Sequence, residues 1–205
     1  MKQLYIKFPL HIMVRPFDGF WDLKFEGKGR MRVAVIILFL LVLNVTLQKQ
    51  YAGLLVNYAD PRFLNSLEDF QYTILPYLLF CVANWSITTL MEGEGKFKEI
   101  LMSTAYAMLP IVIVNIPLTF ISRFITEEET AFYYLLNGFA FVWFIFLLFV
   151  GNMTVHQFSA SKTVVTLILT VVAMGIVIFL ATLGFSMALQ IITFLIDIYR
   201  ELIFR

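Results

Sequence analysis

Apolar residues gather into five long runs separated by short polar breaks: Met31–Gln48, Tyr72–Met91, Ile100–Phe124, Ala131–Val155 and Thr163–Ile196. About twenty predominantly apolar residues cross the ~30 Å hydrocarbon core as a helix. A chain of 205 residues has too small an interior to hide five such runs from water. The pattern therefore predicts an all-α, polytopic integral membrane protein, a single domain over residues 1–205 with five transmembrane helices. The last run is too long for one membrane thickness, so it must tilt, kink or project.

The polar breaks carry their own signals. Residues 1–30 are predicted to form a cytoplasmic or interfacial segment. Within it Phe17, Phe20, Trp21 and Phe25 keep helical spacing, so 16–26 reads as a short helix in the membrane interface, ended by Gly27 and Gly29. It is either an aromatic lipid anchor or a docking surface at the bilayer rim. Tyr51, Leu54, Leu55 and Tyr58 extend the first helix outward. Asp60–Pro61 reads as the start of a short external helix, and Pro76 as a kink early in the second span. Pro110 and Pro117 should bend the third span around Asn115. Thr126–Glu129 has the form of a capping box for the fourth helix, and Ser159 and Ser161 beside Lys162 read as an N-cap and an interfacial lysine at the mouth of the fifth.

Charge changes the picture through placement. Only 14% of residues are charged, 15 basic against 14 acidic, which suggests no nucleic-acid partner. No Asp, Glu, Lys or Arg falls near the centre of a predicted span. Such a group costs ~2.5–3.5 kcal/mol on insertion and marks pumps or proton-coupled carriers. Ten basic residues fall on the side of the N-terminus and five on the other. The positive-inside rule then places the N-terminus in the cytoplasm and the C-terminus outside. The leading segment does not read as a signal peptide, because no small-residue cleavage site follows a short apolar core.

Candidate chemistry is sparse. The lone Cys81 cannot form an intrachain disulfide, and two histidines, His11 and His156, cannot make a multi-imidazole site. No span holds a protease-type Ser–His pair, paired aspartates or a His-Glu-x-x-His helix. Glu92-Gly93-Glu94-Gly95-Lys96 is a tight turn that lacks phosphate-loop spacing. No catalytic, cofactor or metal residues are expected, and the chain is not expected to be an enzyme. Asn44, Asn84, Asn115 and Asn137 could bond between helices for ~0.6–2 kcal/mol each, or line a polar pathway. Ser103-x3-Ala107 and Gly184-x3-Ala188 are small-residue pairs that permit close helix approach.

Pro16-Phe17-Asp18-Gly19-Phe20-Trp21 ahead of the first span, and Ala105-Tyr106-Ala107 with Pro110 in the third, are similar to the two motifs of the Yip family, Ypt/Rab GTPase-interacting membrane proteins. Both family glycines of the second motif are alanine here. Gly93 to Glu99 and His156 to Lys162 resemble the short bacterial branch. The resemblance covers nearly the whole chain. It implies a five-span helical domain without known catalytic activity that assembles with other membrane proteins. The long N-terminal region of the eukaryotic members is missing, so Rab binding is not carried over.

The resulting expectation is an accessory or scaffold subunit of a membrane transport complex in a bacterial cell membrane. It would contact lipid and another integral membrane protein, such as the permease subunits of a sugar-type ATP-binding-cassette transporter. The chain itself lacks the Glu-Ala-Ala-x3-Gly coupling motif of such permeases. Asp18, Gly19, Phe20, Trp21, Asn84, Tyr106, Pro110, Asn115 and Asn137 are the candidates for partner binding or packing. The alternative is a small independent transporter or channel for a polar solute, lined by Asn84, Asn115 and Asn137.

Overall fold

The computed structural model describes residues 2–60 and 64–203, and among these there are only helices, turns and loops. Eight helices follow one another: α1 Lys2–Val14, α2 Pro16–Lys24, α3 Met31–Tyr51, α4 Ser66–Leu90, α5 Phe97–Ala107, α6 Leu109–Ile121, α7 Thr130–His156 and α8 Ala160–Ile203. α5 and α6 together make the third span, so five segments are long and apolar enough to cross a membrane. Each hides its backbone polar groups in its own helical bonds, as hydrocarbon demands. The start of α3, the α4–α5 turn and the α7–α8 turn share one end of the bundle, called here the N-terminal face. The α3–α4 and α6–α7 connections share the opposite face.

The third span is the centre of the bundle, with 56% of its most apolar window buried. It packs against both α3 and α7. The expected bend there is an interruption of one residue: α5 ends at Ala107, Met108 forms a turn, and Pro110 sits in the first turn of α6, where its missing N–H costs nothing. Pro117 lies inside α6, and Pro76 lies inside α4, which runs unbroken from Ser66 to Leu90. Tyr106 and Asn115 both face inward, 1% and 6% exposed.

Several boundaries differ from the sequence reading. α3 stops at Tyr51 because the Gly53 N–H donates to Ser122 Oγ at 2.8 Å. A β-carbon on Gly53 would lie 2.0 Å from the Ser122 carbonyl oxygen, so this tertiary contact overrides the helical spacing that continues to Tyr58. The expected helix start at Pro61 lies outside the described residues, and α4 begins later, capped by Asn65, which accepts from the Leu67 N–H at 3.0 Å. Glu129 does reach back to the Thr126 N–H at 2.9 Å, but this closes a turn, and α7 starts after it at Thr130. Ser159 behaves as expected, its Oγ accepting from the Lys162 N–H at 3.4 Å ahead of α8.

α8 is the outlier. Its 44 residues would run ~66 Å at helical rise, about twice the hydrocarbon thickness. Its only buried residues are Thr163, Thr166 and Thr170. From Gly175 to Ile203 every residue is exposed.

Candidate functional site

α1, which periodicity did not reveal, packs on α2 through a close crossing. A β-carbon on Gly19 would lie 2.7 Å from the Ile12 Cα, so the crossing needs glycine. The expected single aromatic face of α2 is split by this packing. Phe20 and Leu23 turn inward, 0% and 2% exposed, and the Phe20 ring rests against Gly151 of α7. Phe17, Trp21 and Phe25 remain outside as a ridge at i, i+4 and i+8, each about half exposed. The Trp21 and Phe25 ring centroids are 4.1 Å apart, and Lys24 Nζ lies 5.2 Å from the Phe25 centroid. Asp18 is exposed, on neither surface's apolar contact. Beyond α2, Lys28 pairs with Asp22 at 2.7 Å and Glu26 at 2.5 Å, and these hydrogen bonds push its pKa up.

The N-terminal face is knotted around His156, at the end of α7. Its ring sits between two glycines of the α4–α5 turn: a β-carbon would lie 2.6 Å from Nδ1 at Gly93 and 2.5 Å from Cε1 at Gly95. Phe158 stacks on the imidazole at 5.4 Å, and Lys162 Nζ lies 4.3 Å from the Phe158 centroid. Lys24 closes the node from α2, donating to the Val155 carbonyl at 2.7 Å and to Glu94 at 3.3 Å. A cation on the last carbonyls of α7 also complements the helix dipole. Both turns place a non-glycine residue in the left-handed region, Glu92 at φ 59° and Gln157 at φ 55°. The His156 nitrogens have no hydrogen-bond partner among the described residues.

A polar seam runs inward from this node between α4, α7 and α8. Asn84 donates to Thr170 Oγ1 at 3.2 Å, and Asn152 lies 3.5 Å from Thr166 Oγ1. Thr88 donates to the Asn84 carbonyl at 2.7 Å. α8 is thus held by threonines and amides rather than by apolar burial. That suits hydrocarbon, where lipid tails are as apolar as leucine and polar contacts carry helix pairing.

The remaining candidates are dispersed. Tyr106 sits on the break of the third span, its ring edge-on to Phe8 at 5.9 Å and its hydroxyl 3.3 Å from the Arg30 N–H. Pro110 follows it, buried. Asn115 is buried in α6 toward the opposite face, its Oδ1 without a hydrogen-bond partner among the described residues. Asn137 is half-buried on α7, one turn from Tyr133. Asn84 belongs to the other half of the bundle, so the three amides are not brought together.

The sequence reading missed an ion pair. α4 begins earlier than the apolar run it contains, which brings Asp69 into the bundle at 2% exposure. It pairs with Lys49 and accepts from Thr46 Oγ1 at 3.2 Å. Lys24 was missed as well: beside the aromatic residues of 16–26 it reads from sequence as a cation snorkelling to headgroups. No group of acidic, thiol and imidazole side chains suited to a metal occurs among the described residues.

The comparisons follow the same outline. No curated protein and no solved structure matches the chain. Residues 10–182, however, match the Yip1 domain. That stretch begins in α1, takes in α2, the His156 node and the third-span break, and ends within α8, and on this match the chain belongs to the Yip1 domain family.

Proposed function

We propose that this protein is a non-catalytic scaffold or accessory subunit of a heteromeric membrane complex. Its N-terminal face would lie toward the cytoplasm of a bacterium, in accord with the ten-to-five division of basic residues. The observation that carries the reading is the distal half of α8. Twenty-nine consecutive residues, Gly175–Ile203, touch the rest of the chain too little for any of them to be buried. Large apolar side chains such as Phe179, Phe185, Phe194 and Leu195 stand exposed along it. A band of Thr182, Ser186, Gln190, Thr193 and Asp197 follows one side. A helix that outruns the bilayer with such a surface is suited to burial against another protein, the band supplying hydrogen-bonding groups.

The host proposed is a transporter, of the sugar-type ATP-binding-cassette class, on the resemblance to the bacterial branch alone. Purification in mild detergent from the native membrane tests the reading. The full chain should bring a stoichiometric membrane partner, and truncation after Gln190 should lose that partner while still inserting. A monomeric, partnerless protein that moves a polar solute into liposomes would instead establish the transporter alternative.

A further inference from the structure

Between α1, α3 and α6 an apolar groove of about 260 Å³ opens on the outside of the bundle. Val33, Ile37 and Leu109 form its buried floor. Leu10, Ile36 and Ile113 form its rims, 40%, 50% and 40% exposed. A trough of this volume with a closed floor and open rims has room for a stretch of a slender apolar chain.

Cations stand at the N-terminal end of the groove: Lys7 is exposed on α1, three residues before Leu10, and Arg32 lies on α3. Arg32 is exposed and lies four residues before Ile36 and eight before Leu40, on the same side of α3. Helical side chains lean toward the helix N-terminus, so Arg32 is directed to the N-terminal face, at headgroup level. Among the described residues it forms no ion pair. Seven of the chain's 15 basic residues lie at or before this position, so the surrounding face also attracts anions.

We propose that this groove holds one acyl chain of an acidic phospholipid from the leaflet at the N-terminal face, with Arg32 on its phosphate. A methylene in the groove gains little over one in bulk lipid, because both surroundings are apolar. Selectivity therefore comes from the headgroup, and a neutral-headgroup lipid occupies the groove more weakly. α1 gains a role from this: it builds the third wall, and the lipid bridges it to α3 and α6.

Native mass spectrometry of the full chain in mild detergent tests the site, titrating phosphatidylglycerol, phosphatidylcholine or inorganic phosphate. One phosphatidylglycerol should be retained, about fivefold more tightly than phosphatidylcholine, the worth of one basic side chain at an anionic surface. Arg32→Gln should remove that preference, and Ile113→Trp, at an exposed rim, should weaken both lipids. Equal retention of the two lipids by the unaltered chain, or unchanged binding in either variant, would mean ordinary annular lipid and overturn the proposal. Displacement of the lipid by inorganic phosphate would reveal a headgroup-only anion site and overturn it as well.

Discussion

The ring of Phe20 lies against Gly151, with its Cε1 and Cζ each 3.1 Å from where a β-carbon would stand. This contact fixes α2 on α7 and leaves Phe17, Trp21 and Phe25 facing outward. Gly151→Leu should expel Phe20, costing about 1–3 kcal/mol by overpacking. Gly138, on the same helix, has nothing within 4 Å of its β-carbon position. Gly138→Leu is therefore the control, and thermal unfolding in detergent should separate the two. Equal midpoints would mean that α2 is not seated on α7 as described.

The His156 node makes a similar prediction with a built-in rescue. Gly95→Ala drives a methyl into the imidazole and should destabilise by about 1–3 kcal/mol. Removing the ring with His156→Ala relieves the two closest of that methyl's contacts and leaves Val155 Cγ1 at 2.8 Å. The double variant should then lose less than the sum of the singles, because the two positions share one space. Additive losses in a double-mutant cycle would show that the ring and the turn are not in contact.

The five spans and the all-helical fold were legible because hydrocarbon forces long apolar runs, and nothing in 205 residues competes with that signal. The breaks were less so. α1, Lys2–Val14, carries Lys7, Pro9 and His11 through its apolar pattern, so its helix rests on packing against α2 rather than on periodicity. Phe20 and Trp21 are sequence neighbours whose opposite fates depend on where α7 happens to lie. The Gly93–Gly95 turn and the His156–Lys162 stretch each stood out in the sequence. Their meeting across some 60 residues was not readable, since it depends on how α5 packs on both α4 and α7 in three dimensions. Asp69 was hidden by its sequence position just ahead of the apolar run of α4.

Lys49 and Asp69 should respond unequally to substitution. The lysine side chain is 41% exposed and the aspartate 3%. Asp69→Asn leaves a cation that can reach water, so its cost should be small. Lys49→Met leaves a buried carboxylate with Thr46 as its remaining side-chain donor and should cost about 3 kcal/mol, the scale of breaking a buried pair. Chemical denaturation of the two variants in detergent measures this order. A larger loss in Asp69→Asn would contradict the burial assigned to the pair.

Orientation is the prediction that bears on every partner experiment, because it decides which compartment meets α8. The structure places Glu94 on the N-terminal face, 66% exposed, and Glu128 in the turn before α7 on the opposite face, also exposed. Removing Glu94 costs a surface ion pair worth at most about 1 kcal/mol, so neither position should disturb folding. Cys81 is buried and can be replaced by serine to leave a cysteine-free background. With ten basic residues on the N-terminal side and five on the other, Glu94→Cys should be closed to an impermeant maleimide in intact cells and open to it in inverted vesicles. Glu128→Cys should show the reverse. Labelling of both from one side would break the five-span topology itself. A clean reversal of the two would keep the fold but move α8's exposed half to the cytoplasm, where the search for its partner would then begin.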